Sequence, residues 1–70
     1  MKEGIAARLE PGKLYKGLGR FIDKEKEGVS VYYFFEVSFG RIEKLKMNEI
    51  YRKLKKHKMD DLELIEEALR

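Results

Sequence analysis

Few side chains in this sequence are equipped for chemistry. His57 is the one histidine, and Ser30 and Ser38 are the only hydroxyl groups outside the tyrosines. A serine nucleophile needs a base within hydrogen-bond reach, yet both serines fall inside an alternating strand pattern with no histidine near them in the chain. His57 closes a basic helical stretch, where a cation suits the negative helix end. His57, Asp60, Asp61 and Glu63 are metal-ligand types, but no i, i+4 histidine pair or cysteine pair accompanies them, and Asp60 is accounted for as a helix cap. Gly17 and Gly19 have the start of a dinucleotide-loop spacing, which fails at Ile22 where a third glycine is needed. Gly12-Lys13 lacks the Ser or Thr that completes a P-loop. The expectation is a protein that is not an enzyme, with no cofactor and no metal.

Charge is the more informative signal. The net charge is +3, divided as +1 over residues 1–40, +6 over 41–58 and −4 over 59–70. A segment of +6 implies an anionic partner for one surface, set against the plainer reading of a solvated helix face. Arg52, Lys53, Lys55 and Lys56 are the candidate phosphate contacts, with Lys16, Arg20 and Arg41 as further candidates. The run Tyr32-Tyr33-Phe34-Phe35 puts two rings on each face of a strand. Tyr33 and Phe35 belong to the core, while Tyr32 and Phe34 either lie under a helix or a second subunit or form a stacking platform for nucleic acid. Cover is the expectation, because rings left in water on a strand invite edge pairing.

The elements that position these groups follow from periodicity and turn residues. Seventy residues make a single domain, 1–70, and a chain of this size buries only ~60% of its unfolded surface. Cysteine is absent, which removes disulfides and thiol chemistry. Residues 1–12 fit a helix or a strand equally well and end at Pro11-Gly12. Residues 13–22 read as a strand bent at Gly17 and Gly19, followed by a polar hairpin loop over 23–28. Val29 to Phe39 is a strand, with Val31, Tyr33, Phe35, Val37 and Phe39 on the core face. Gly40-Arg41 fits a two-residue turn with glycine first, leading to a strand over 41–46.

A helix then starts near Asn48, an N-cap residue, with Met47, Ile50, Tyr51 and Leu54 inward and Arg52, Lys53, Lys55 and Lys56 outward. Met59-Asp60-Asp61-Leu62-Glu63-Leu64 has the pattern of an acidic capping box with a hydrophobic staple, which predicts a second helix over 61–70. Its apolar residues Leu62, Leu64, Ile65, Ala68 and Leu69 span an arc wide enough to touch a twin helix, the interface of an expected homodimer. The fold class is therefore α+β: a small antiparallel sheet of three to four strands, residues 1–46 being mainly β, followed by two C-terminal helices over 47–70.

Residues 15–50 resemble the small SH3-like or Tudor-like barrels attached to DNA-working proteins, such as CarD-type regulators and the C-terminal module of UvrD-type helicases. The residues that carry the likeness are Tyr15-Lys16-Gly17-Leu18-Gly19-Arg20-Phe21-Ile22, the charged loop, then Val31 to Gly40, and a return strand with Ile42 and Leu45. The C-terminal helix pair departs from that pattern, as does the lack of an extra strand to close the barrel. The resemblance implies a module that docks on RNA polymerase or duplex DNA without doing chemistry.

A small nucleic-acid-associated or transcription-related binding domain is thus expected, its phosphate contacts carrying little sequence preference. The rival is a protein-interaction module. A helix-turn-helix reader is disfavoured because its second helix would be acidic. No apolar run marks a signal peptide or a membrane span, so the expected location is cytoplasmic. Lysine and glutamate supply 21 residues, while threonine and glutamine are absent, a composition resembling that of hyperthermophile proteins.

Overall fold

A computed structural model describes residues 4–66. The elements run α1 (Ile5–Arg8), β1 (Leu14–Tyr15), β2 (Gly19–Glu27), β3 (Ser30–Ser38), β4 (Arg41–Leu45), α2 (Met47–Lys56) and β5 (Leu64–Glu66). The strands form one antiparallel sheet in the order β4-β3-β2-β1-β5. The fold is α+β, with five strands where three to four were expected.

The central hairpin is longer than its composition suggests. Asp23 to Glu27, expected as a loop, extend β2, and only Gly28 and Val29 turn the chain between the paired Glu27 and Ser30. The side chains of this stretch stay in water, so the strand is held by its hydrogen-bond ladder to β3 and not by burial. The next turn is Phe39-Gly40, glycine second, because Ser38 pairs with Arg41.

One face of the sheet carries the core. Phe21, Tyr33, Phe35 and Leu45 meet Ile50 and Leu54 of α2, with Ile5, Leu9, Tyr15, Leu18 and Met59 closing the edges. Phe21 and Phe35 pack with ring centroids 5.3 Å apart, within the range of favourable tilted ring pairs. Alternation on β3 correctly places Tyr33 and Phe35, and it fails beyond them. A bulge between Glu36 and Ser38 shifts the register, which leaves Val37 exposed at the rim and Phe39 wholly exposed in the turn. Gly19 makes the bulge possible: at φ +112° its Cβ would sit 2.6 Å from the Glu36 carbonyl oxygen. Only a residue without a side chain allows the two backbones so close.

The chain N-terminal to the sheet is one helical turn, α1, tied down by Tyr15. The Tyr15 hydroxyl accepts from the Glu10 N–H at 3.0 Å and donates to the Arg8 carbonyl at 3.4 Å. A buried ring with a satisfied polar tip thereby anchors a segment that has little regular structure of its own.

Residues 59–66 correct the expectation of a second helix. The chain leaves α2 through a Schellman turn, Lys58 N–H to the Lys55 carbonyl and Met59 N–H to the Leu54 carbonyl, both at 2.9 Å. This drives Met59 into the core beside Leu54. Asp61 then accepts the Leu62 N–H at 2.7 Å and holds Arg8 through both oxygens, at 2.7 and 3.1 Å. The Lys16 N–H takes the Glu63 carbonyl at 2.8 Å, and Leu64 to Glu66 pair with β1. An unpaired sheet edge and an arginine from a distant segment thus compete successfully with a local cap. The predicted helix over residues 67–70 lies outside the described residues.

Candidate nucleic-acid interface

Helix α2 presents the basic surface. It begins at Met47 with Lys46 as N-cap, not at an Asn48 cap, and the Glu49 carboxylate accepts the Lys46 N–H at 2.8 Å. That is one half of a capping box; a lysine ammonium has no lone pair with which to complete the other. Met47, Ile50 and Leu54 recur at helical spacing and turn toward the sheet. Tyr51, expected inward, is half exposed because it falls one position off that stripe.

Arg52, Lys55, Lys56 and Lys58 are exposed, and no acidic group among the described residues lies within ion-pair distance of any of them. Elsewhere Lys13 pairs with Glu10 at 2.9 Å, Lys44 with Glu27 at 3.3 Å and Arg8 with Asp61, while Lys24, Lys26 and Arg41 stand scattered along the hairpins with no acidic partner among the described residues. His57 is the C-cap of α2, its N–H directed at the last carbonyls. Gly17 packs on the His57 ring, so the β1–β2 turn stands beside the basic end of the helix.

The sequence-predicted contact residues do not all gather there. Lys53, expected outward, leans over the sheet rim and meets Glu43 at 3.3 Å. Lys16 is exposed on the neighbouring turn, 3.8 Å from Glu63. Arg20 is spent on structure, its guanidinium donating to the Gly12 carbonyl across the β1–β2 bend. Arg41 is exposed at the opposite end of β4, in the hairpin of Phe39. The helix face with Arg52, Lys55 and Lys56 is therefore the coherent part of the predicted site, extended by Lys58. Arg52, Lys53 and Lys56 line a groove of about 250 Å³ with Leu45 and Glu49.

The aromatic pair Tyr32 and Phe34 lies on the face away from α2. Both rings are half-buried, and no helix among the described residues covers them. Their cover is cationic instead, the Lys44 ammonium standing 4.3 Å from the Tyr32 ring centre and that of Lys46 5.7 Å. Register places Asp23 opposite Phe34 and Glu25 opposite Tyr32. Carboxylates on one side and ammonium groups on the other make the surroundings of the rings mixed in charge, unlike the uniformly basic groove that tracks a nucleic-acid strand.

Glu43 is the residue that reading the sequence missed. It pairs with Phe35 across β3 and β4, on the core face, and its Oε1 is buried without a hydrogen-bond donor. The Lys53 ammonium is near but off the direction in which it would donate. The signal was present in the strand period, since Leu45 inward requires Glu43, two residues earlier, inward as well.

The predicted dimer helix is corrected in part. Leu64 and Ile65 are exposed on the edge strand β5, not on a helix, and Leu62 packs against the core; Ala68 and Leu69 lie outside the described residues. Among the described residues no three His, Asp or Glu side chains converge on a metal-binding point, and no helix is long and apolar enough to cross a membrane. Comparison with protein families, with curated proteins and with solved structures finds no match to this chain.

Proposed function

We propose that this protein is a non-enzymatic, nucleic-acid-associated binding domain that grips backbone phosphates with the exposed face of α2. The observation that carries the reading is the gathering of Arg52, Lys55, Lys56 and Lys58 on one exposed helix face and the turn that ends it, with no acidic partner for any of them among the described residues. Phosphate contacts of this kind position a protein without reading sequence. What supports the likeness to small SH3-like barrels of DNA-working proteins is β5, a fifth strand beside β1 where the sequence pattern offers no extra strand. Under that likeness the protein works beside RNA polymerase or duplex DNA.

The test is a titration of the protein into a mixed-sequence duplex and a mixed-sequence single strand at several salt concentrations. Replacing Arg52, Lys55 and Lys56 together by glutamine should flatten the dependence of log K on log[salt] by about 0.9 for each duplex phosphate contact removed. Binding of neither probe by the wild type at low salt sinks the proposal. The rival, a protein-interaction module or homodimer, then inherits through the exposed Leu64 and Ile65 on the free edge of β5.

A further inference from the structure

The sheet face away from α2 repeats one pattern twice. Across β2, β3 and β4, Asp23 stands opposite Phe34 and Phe34 opposite Lys44. Two residues along, Glu25 stands opposite Tyr32, and the ammonium of Lys46, the next in the Lys44 column, is 5.7 Å from the Tyr32 ring centre. Side chains two apart on a strand share a face, so both rows run acid, ring, base in the same direction. Ile42, two residues before Lys44 and half exposed, adds apolar surface at one end of the rings.

The charges that end these rows are only partly used within the chain. Lys44 reaches Glu27 at 3.3 Å. Asp23, Glu25 and Lys46 are exposed and have no ion-pair partner among the described residues.

An apolar centre with acid on one flank and base on the other is complementary to itself under one particular symmetry. A two-fold axis parallel to β3, between two stacked sheets, exchanges the flanks and keeps each residue's position along the strand. Each row then lies reversed on its own copy, with Asp23 facing the partner's Lys44, Glu25 facing the partner's Lys46, and ring facing ring. An axis across the strands would instead set acid on acid. Sheets stacked face to face stand about 10 Å apart with their strands nearly aligned, a gap that two layers of aromatic side chains fill.

We infer that this face holds a second copy of the chain in such a two-fold dimer, with Tyr32 and Phe34 of both copies enclosed between the charged flanks. Opposite-charge contacts at the rim set the register and exclude other arrangements. Three short strands make a small interface, so the association is weak and reversible. Helix α2 packs on the other face of the sheet, so both basic surfaces stay free on the outside of the dimer. The inference therefore stands apart from the phosphate reading.

The experiment is sedimentation equilibrium of the chain between roughly 10 µM and 1 mM, the range in which a small interface associates. The wild type should move from monomer to dimer. Glu25→Lys alone and Lys46→Glu alone each set like charges together twice across the axis and should weaken association about tenfold or more. Both positions are exposed, and an acid at the start of α2 suits the helix end, so both variants keep the fold. An equimolar mixture of the two variant chains should dimerise again, because each mutated residue then faces its opposite charge. A wild type that stays monomeric throughout overturns the inference and leaves the face to a different protein or a nucleic acid. Dimerisation indifferent to both variants places the contact elsewhere, such as the edge of β5, and overturns it too. Variants that remain monomeric on mixing rule out the two-fold pairing of Glu25 with Lys46.

Discussion

Lys58 and Gly19 show how single residues meet backbone demands in opposite ways. Lys58 takes φ 59° in the Schellman turn, a conformation that costs an L-residue roughly 1–2 kcal/mol. Lys58→Gly should relieve more than the ~0.5–1 kcal/mol it adds in chain entropy, raising Tm by about 3 to 6 °C. The same change removes one of the unpaired cations, so strand binding should weaken slightly as stability rises. Gly19 has no such freedom, because a methyl group there meets the Glu36 carbonyl oxygen at 2.6 Å. Gly19→Ala should cost about 3 kcal/mol, read as a lower denaturation midpoint. A variant as stable as the wild type would mean that the bulge at Val37 is not held by this contact.

At the scale of elements, α2 separates its buried and its exposed faces by one residue of phase. Leu54 is 2% exposed and Tyr51 50% exposed. Leu54→Ala should therefore destabilise the fold by about 3 kcal/mol, against under about 1 kcal/mol for Tyr51→Ala; urea unfolding of the pair checks both. Strand β5 gives a second element-level expectation. The Lys16 N–H donates to the Glu63 carbonyl, so its hydrogen exchange should be slowed together with the β1–β5 pairs. Asp61→Ala, which frees Arg8 and the start of that segment, should speed Lys16 exchange more than exchange at Phe35. Unchanged protection at Lys16 would show that Asp61 does not hold β5 in place.

The whole molecule spreads its duties over separate surfaces. One sheet face is core, the other is a mixed-charge surface with half-buried rings, and Arg52, Lys55, Lys56 and Lys58 gather on α2 and the turn that ends it. Val29 and Phe39, fully exposed at hairpin tips at opposite ends of β3, contribute nothing to the core. Phe39→Ser and Val29→Ser together should leave Tm unchanged and reduce self-association at high concentration, measured by light scattering. A large fall in Tm would place these tips in contacts that the fold does not show.

Local chemistry in the sequence determined the elements whose signals agree with one another. The alternation through Tyr33 and Phe35, the stripe Met47, Ile50 and Leu54, the C-terminal role of His57 and the basic helix face were all legible, because period, propensity and charge point the same way there. The tertiary structure decided the rest wherever a distant partner outbid a local preference. The ladder to β3 drew the charged residues 23–27 into a strand. The bulge facing Gly19 turned Val37 and Phe39 out of the core. The open edge of β1, with Arg8 waiting for Asp61, took residues 61–66 away from the helix that their capping pattern favoured. Lys53 and Glu43 met for the same reason: they lie ten positions apart, on a helix and a strand, and only the packing of α2 across the sheet brings the ammonium to the carboxylate. A cap or a turn is worth about 1 kcal/mol, which a paired strand edge together with a bidentate arginine contact readily exceeds.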